Sequence, residues 1–433
     1  MKLLSFTVSN FRSFKEAQTL EFASPVVALF GANASGKTNF LEAISYALAA
    51  VRLSATSWQD THLHPQPPHS PFGLSREFYN QPSRFEFEFT HKDKRYLYGF
   101  EYSRKGVHGE WLSYVPKSRW TPCFERGIDD KGNIEIKWNN SYMTKTQQKD
   151  LGKINSRELI FSGALRTKHP VLGPLASLLA YSVHTLPIIS EEGRREGLKE
   201  IANLIRSKIF HPDEVSLLLQ AADTGIVEVS VDEKRIPQEI LERFKAAIQI
   251  FDSSQEESSE DDLSNSELKD VIYNLVFHHK GVNGTTYRLG INDESDGTLA
   301  WLTFAPKFIS TLREGGVLIA DELDATFHIQ LLEMIVQSFT DRSINTHGAQ
   351  LIITAHNTNL MEHLRDLNIQ EVGIWFAEKS STGETEIYSL ADFSNRKEAN
   401  YEKRYLSGRY GAIPSLSPSI IRGLVGEKGG LNG

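Results

Sequence analysis

Val26-Val27-Ala28-Leu29-Phe30-Gly31-Ala32-Asn33-Ala34-Ser35-Gly36-Lys37-Thr38-Asn39-Phe40-Leu41-Glu42-Ala43-Ile44 is the stretch that decides the fold. An apolar run leads into the spacing Gly-x-x-x-x-Gly-Lys-Thr, and a helical pattern follows. Strand, glycine-rich turn and helix N-terminus in that order build a phosphate cradle. The glycines let successive backbone N–H groups point inward, and the helix end adds its positive dipole. The pattern predicts phosphate contacts from Gly31, Ala32, Asn33, Ala34, Ser35, Gly36, Lys37, Thr38 and Asn39. Lys37 is expected on the β- and γ-phosphates of ATP, and the Thr38 hydroxyl on Mg2+. A glycine-rich turn with a chance lysine is the plainer alternative, and the flanking strand and helix argue against it.

Two later segments repeat the plan. Gly316-Val317-Leu318-Ile319-Ala320-Asp321-Glu322 is an apolar strand ending in two acids. Beside a phosphate loop, an Asp in that position holds Mg2+, and the next Glu can deprotonate an attacking water. Gln350-Leu351-Ile352-Ile353-Thr354-Ala355-His356-Asn357 delivers one histidine to a strand end. Ligands of open α/β sheets bind at that edge, so His356 is expected near the γ-phosphate or the water. The catalytic set read from sequence is therefore Glu322, His356 and Lys37, with Thr38 and Asp321 on the metal. Acids capping a buried strand, or a structural histidine, are the alternatives for each motif alone.

Composition narrows the class. The 433 residues carry 47 basic and 55 acidic side chains, a net charge of -8. That balance argues against a uniformly basic DNA-coating protein. Cys123 is the single cysteine, so no intrachain disulfide framework exists, which fits a reducing cytoplasm. Arg12, Lys15 and Glu16 interrupt the apolar start before it reads as a signal peptide. No window offers the ~20 apolar residues of a membrane helix. The expectation is a cytoplasmic protein without a membrane partner.

Alternation over the first ~25 residues predicts a hairpin, and a helix is expected over about 37–52. His62, His64 and His69 invite a metal reading, but carboxylate and cysteine partners are sparse there and the prolines suggest an irregular surface loop. Phe85-Glu86-Phe87-Glu88-Phe89 and Tyr96-Leu97-Tyr98-Gly99-Phe100 read as strands. Their aromatic stripe suits a core better than base stacking. Residues 142–252 read as mostly helical with a short strand at 225–231, and the serine- and acid-rich stretch 252–267 reads as solvated. Strands are expected at 271–279 and 285–291. Thr38 and Asp321 lie much farther apart than one helix and two strands require, so an insertion must leave and re-enter the core. The expected division is an N-terminal part at 1–105, a mostly helical insertion at 106–270, and a C-terminal part at 271–433.

These residues resemble the ABC-type ATPase heads of the RecF, SMC and OLD group. Asn10-Phe11-Arg12-Ser13-Phe14 is similar to that group's N-terminal strand motif. Gly31 to Thr38 matches its Walker A, Asp321-Glu322 its Walker B, Leu323-Asp324-Ala325 its D-loop and His356 its switch histidine. Glu294-Ser295-Asp296-Gly297-Thr298 resembles a divergent signature motif and departs from the transporter form Leu-Ser-Gly-Gly-Gln. Tyr405-Leu406-Ser407-Gly408-Arg409-Tyr410-Gly411-Ala412-Ile413-Pro414 resembles the tail of AAA-family ATP-binding proteins of bacterial abortive-infection systems, the AbiLi/RloA type. The resemblance implies an α/β P-loop NTPase with an ABC/SMC-head-like mixed sheet and a large, mostly helical insertion. It implies ATP and Mg2+, with ATP sandwiched in a head-to-tail homodimer or higher homo-oligomer. Ser295, Asp296 and Gly297 then serve the site of the other copy. An OLD nuclease carries a Toprim domain after its ATPase. The stretch after His356 is short, so a separate, nuclease-like effector protein is expected. The implied function is an ATP-hydrolysing regulatory subunit of anti-phage defence. The alternative is a RecF/SMC-like DNA-maintenance ATPase with nucleic acid as partner.

Overall fold

Apolar residues at every second position need one dry face and one wet face, and the N-terminal strands supply both. The strands in chain order begin with β1 (Lys2–Ser9), β2 (Gln18–Glu21), β3 (Val26–Phe30), β4 (Ser83–His91), β5 (Lys94–Ser103), β6 (Gly106–Tyr114), β7 (Thr121–Ile128) and β8 (Ile134–Trp138). They continue with β9 (Val183–Leu186), β10 (Ile226–Arg235), β11 (Val271–Lys280), β12 (Thr286–Gly290), β13 (Val317–Ala320), β14 (Gln350–Ala355), β15 (Ile374–Lys379) and β16 (Thr385–Ser389). This computed structural model describes residues 1–61, 64–129, 132–186, 191–207, 210–235, 271–394, 399–414, 417–420 and 422. The serine- and acid-rich stretch 252–267 and His62 lie outside them. The chain forms two units, Met1–Ile188 with Ile309–Gly433, and Ile189–Phe308.

In the first unit an antiparallel sheet runs β2-β1-β4-β5-β6-β7-β8. Phe85, Phe87, Phe89, Tyr98, Phe100 and Tyr102 are buried on its inner face, so the aromatic stripe is core. The helix Lys37–Leu53 lies against that face, with the Phe6 and Phe40 rings 5.6 Å apart. The expected boundary at 105/106 is corrected here. It falls in the turn between β5 and β6, and 106–138 forms strands of this sheet rather than helices. Charged residues at inward positions hide the alternation. Glu110 on β6 is fully buried and Arg126 on β7 is 5% exposed. Glu110 accepts hydrogen bonds from the Ile160 N–H at 2.6 Å, the Phe161 N–H at 3.1 Å and the Tyr98 hydroxyl at 3.0 Å, with Arg126 3.8 Å away. Helices Lys145–Asp150, Ile160–Arg166 and Leu172–Tyr181 follow, in the stretch read as mostly helical, and the leucine spacing predicts the last of them.

The second sheet of this unit runs β16-β15-β3-β14-β13-β9. Five of its strands are parallel, and β16 pairs antiparallel with β15. Every residue of β3, β13 and β14 is buried. Their continuous apolar runs are what a sheet covered on both faces demands. β9 lies inside the stretch read as mostly helical. Its Val183–Leu186 pairs in parallel with Val317–Ala320. β3 sits beside β14, and β14 beside β13, so all three end at the same edge.

The second unit holds helices Glu191–Arg206 and Pro212–Ala221 and the antiparallel sheet β10-β11-β12. Its mixed content corrects the expectation of a mostly helical insertion, and its bounds replace 106–270 by 189–308. The buried Trp301 donates from Nε1 to the Leu218 carbonyl at 2.7 Å. Trp301 lies on the helix Asp296–Glu314, which starts in this unit and carries Pro306. Among the described residues no helix is long and apolar enough to cross a membrane.

Candidate nucleotide-binding site

The phosphate loop follows β3 and is closed from behind. A Cβ on Gly31 would lie 2.3 Å from the Ala377 carbonyl oxygen, and one on Gly36 2.3 Å from Thr385 Oγ1. Gly36 also has φ +110°, a conformation that side chains resist. Thr385 Oγ1 sits 2.8 Å from both the Ser35 carbonyl oxygen and Ser13 Oγ, and the Asn39 amide donates to Ser13 Oγ at 2.8 Å. Residues from both ends of the chain thus fix one loop. Asn10 holds the preceding turn, donating from Nδ2 to the carbonyls of Phe78 at 2.9 Å and Gln81 at 3.0 Å.

Lys37 is 4% exposed, and its Nζ donates to the carbonyls of Gly31 at 2.8 Å and Ala32 at 3.1 Å. Burial pulls its pKa below the usual lysine value, opposed by the negative charges of Glu322, Asp321 and Asp324. The ammonium is therefore arched over its own loop, where phosphate oxygens can replace the two carbonyls.

The ends of β13 and β14 supply the acids. The Thr354 hydroxyl donates to Asp321 Oδ1 and accepts the Glu322 N–H at 2.9 Å. Asp321 Oδ2 is buried without a hydrogen-bond partner. An orphaned carboxylate oxygen costs free energy unless something cationic meets it. With Thr38 among the residues that line the cleft, it fits a hard, oxygen-seeking cation such as Mg2+. Glu322 adopts φ +50°, ψ 43°, a left-handed conformation costing about 1 kcal/mol for a non-glycine residue. Its Oε1 lies 3.2 Å from His356 Nε2. Asp324 Oδ2 accepts the backbone N–H groups of His356, at 2.6 Å, and Asn357. The two strand-end turns are thereby tied together.

These groups surround an open cleft of about 360 Å³, lined by loop residues Asn33 to Asn39, Glu322, His356 and Lys379. The structure thus brings the loop, Glu322 and His356 to one cleft, with Asp321 beside Glu322. Sequence reasoning missed Lys379, the latch Thr385–Ser13 and the part played by Thr354. Lys379 and Thr385 lie in no motif, while Ser13 and Thr354 fall inside quoted segments whose patterns say nothing of these contacts. Ser295, Asp296 and Gly297 belong to the second unit, and all three are exposed. Ser295 Oγ accepts the Thr298 N–H at 3.1 Å and so caps the helix that follows. Glu294, with 5% of its side chain exposed, meets His279 Nε2 at 2.6 Å.

Among the described residues no group of three or more His, Cys, Asp or Glu side chains could hold an ion. His69 Nε2 lies 3.1 Å from Ser83 Oγ, and burial pushes its pKa down to about 4.

Residues 26–362 match the family described as "AAA domain, putative AbiEii toxin, Type IV TA system". The chain belongs to this AAA family. Its motifs are similar to those of the ABC-type ATPases of the RecF/SMC/OLD group. The AAA chain is also similar to "DNA replication and repair protein RecF" from Natranaerobius thermophilus, 50% identical over 46 residues, 11% of this chain and 12% of that protein. The protein of the same name from Chlamydia caviae is 44% identical over 63 residues, 14% of this chain and 16% of that one. Both matches span less than a fifth of the relatives' own lengths. Among solved structures, an SMC head bound to the C-winged helix domain of ScpA aligns at TM-score 0.42 and 14% identity, over 90% of this chain and 97% of that one. The SMC head from Thermotoga maritima gives TM-score 0.37 and 13% identity, over 90% and 99%. Likeness at that level bears on neither substrate nor partner.

Proposed function

We propose that this AAA protein binds and hydrolyses ATP, and that ATP joins two copies head to tail to control a separate effector in anti-phage defence. The observation that carries the reading is Glu322, held in a left-handed turn beside His356 at the cleft that contains the phosphate loop. A carboxylate fixed there can take a proton from a water aimed at a γ-phosphate. His356 orients that carboxylate and, in the loaded state, reaches toward the terminal phosphate. Lys37 and the loop N–H groups bind the β- and γ-phosphates. Thr38 and Asp321 are the residues suited to hold Mg2+, which supplies charge neutralisation between the phosphates.

The exposed turn Ser295-Asp296-Gly297 supports the second half of the proposal. Its capping serine accepts a backbone N–H and shares a 2.8 Å hydrogen bond with the Thr298 hydroxyl, which leaves one proton of that hydroxyl pair to give, and the helix N-terminus behind it favours an anion. Offered to the γ-phosphate of a second copy, two such turns close two equivalent sites about a two-fold axis. ADP lacks the bridging group, so the dimer equilibrium shifts by the affinity difference between the closed and open states. The "putative AbiEii toxin" of the family description and the AbiLi/RloA-like tail favour a defence role in the cytoplasm, with a nuclease-like effector as partner. The RecF similarities favour a second reading, a DNA-maintenance ATPase, for which salt-dependent DNA affinity is the deciding measurement.

Glu322→Gln tests the main reading. It is expected to keep ATP binding, slow phosphate release by roughly a hundredfold, and accumulate an ATP-loaded dimer on size-exclusion chromatography. Near-normal turnover removes Glu322 from its role. A monomer in the ATP-loaded variant removes the sandwich.

A further inference from the structure

Lys379 lines the cleft and has no part in the chemistry above. It is the last residue of β15. β15 and β14 flank β3 on opposite sides, so Lys379 stands across the phosphate loop from His356, which follows β14. The hairpin that carries it is fixed to the loop. The Ala377 carbonyl backs Gly31, and Thr385 reaches the Ser35 carbonyl at 2.8 Å. Lys379 is exposed, and no hydrogen bond or ion pair engages its ammonium among the described residues. Lys37 differs, because two loop carbonyls already hold its ammonium.

Charge balance gives Lys379 a task. Mg2+ and Lys37 together leave a triphosphate with residual negative charge, and Glu322 adds more. Of the residues that line the cleft, Lys379 is the other permanent cation. Its side of the loop lies away from Glu322 and His356, hence away from the γ-phosphate. We propose that Lys379 is a second phosphate-binding cation of this site, acting on the α/β end of the nucleotide, the part that ATP and ADP share. The proposal rests on the nucleotide reading of the cleft and deepens it.

The experiment measures Mg-ATP and Mg-ADP affinity by calorimetry on the full chain and on Lys379→Met, Lys379→Arg and Lys37→Ala. Lys379→Met is expected to weaken both nucleotides about equally, each by about tenfold, the loss of one charge-assisted contact. Lys379→Arg is expected to restore most of it. Thermal unfolding without nucleotide should be the same for the Lys379 variants and the unchanged chain, because the side chain touches solvent. Unaltered affinities in Lys379→Met overturn the assignment, and so does a loss confined to ATP, which would put Lys379 at the γ-phosphate. If the unchanged chain binds neither nucleotide, the nucleotide reading itself falls and takes this one with it.

Discussion

Lys37 and Ser295 stand for two regions built in different ways. Lys37 is 4% exposed, its loop is backed by Ala377 and Thr385, and its neighbours are fixed by buried hydrogen bonds. Ser295 is exposed, caps its own helix, and is steadied through Glu294 and His279. Rigid surroundings let the loop region be ready before any ligand arrives. A solvated turn gains an ordered role only when something docks on it. The contrast teaches that one half of the proposed machine is finished within the chain and the other half is an offer to a second copy.

Mixing variants attacks that contrast most directly. Lys37→Ala and Ser295→Arg are each expected to abolish phosphate release alone. An equal mixture should recover about a quarter of normal turnover, because half the dimers are mixed and each keeps one intact site. No recovery means that one chain builds the whole site. A smaller effect is expected from His279→Leu, which leaves the enclosed Glu294 carboxylate unpaired. Turnover should fall by about tenfold or less while ATP affinity stays put, since the phosphate loop is untouched. Equal losses in affinity would blur the line between the two regions.

The smallest effect concerns stability. Burial pushes Glu110 up to about 7 from its ordinary 4.5, partly offset by Arg126 and its hydrogen bonds. An acid whose folded pKa is raised favours the fold when protonated. Its contribution is full below 4.5 and is lost as pH rises through about 7. Thermal midpoints of the unchanged chain should fall across that window, and Glu110→Gln should flatten the slope. An equal slope in the variant assigns the pH dependence to other groups.

The loop, its strand and its helix were legible because all their determinants are adjacent in sequence. The Asp321-Glu322 and His356 motifs were legible because fully buried parallel strands announce themselves by unbroken apolar runs. β9 was not, since four residues offer no period and their partner β13 comes far later in the chain. β6 and β7 were hidden by Glu110 and Arg126, which sit where a strand pattern demands apolar side chains. Glu110 is satisfied by the N–H groups opening the helix Ile160–Arg166 and Arg126 by the carbonyls of Glu158 and Asn155, long-range facts that no local window contains. Lys379 carries no motif at all, and its place in the cleft follows only from β15 lying next to β3.

The covering of Gly31 and Gly36 by Ala377 and Thr385 has a bearing on biosynthesis. The cradle is encoded far ahead of its rear wall in the chain. A nascent chain carries the complete Gly31–Thr38 motif long before the loop has anything to rest on. Ribosome-bound or prematurely terminated products lacking the β15–β16 hairpin are therefore expected to be inert toward ATP. Such a chain gains its nucleotide grip only once that hairpin has been made, which keeps copies without it out of any assembly that ATP holds together.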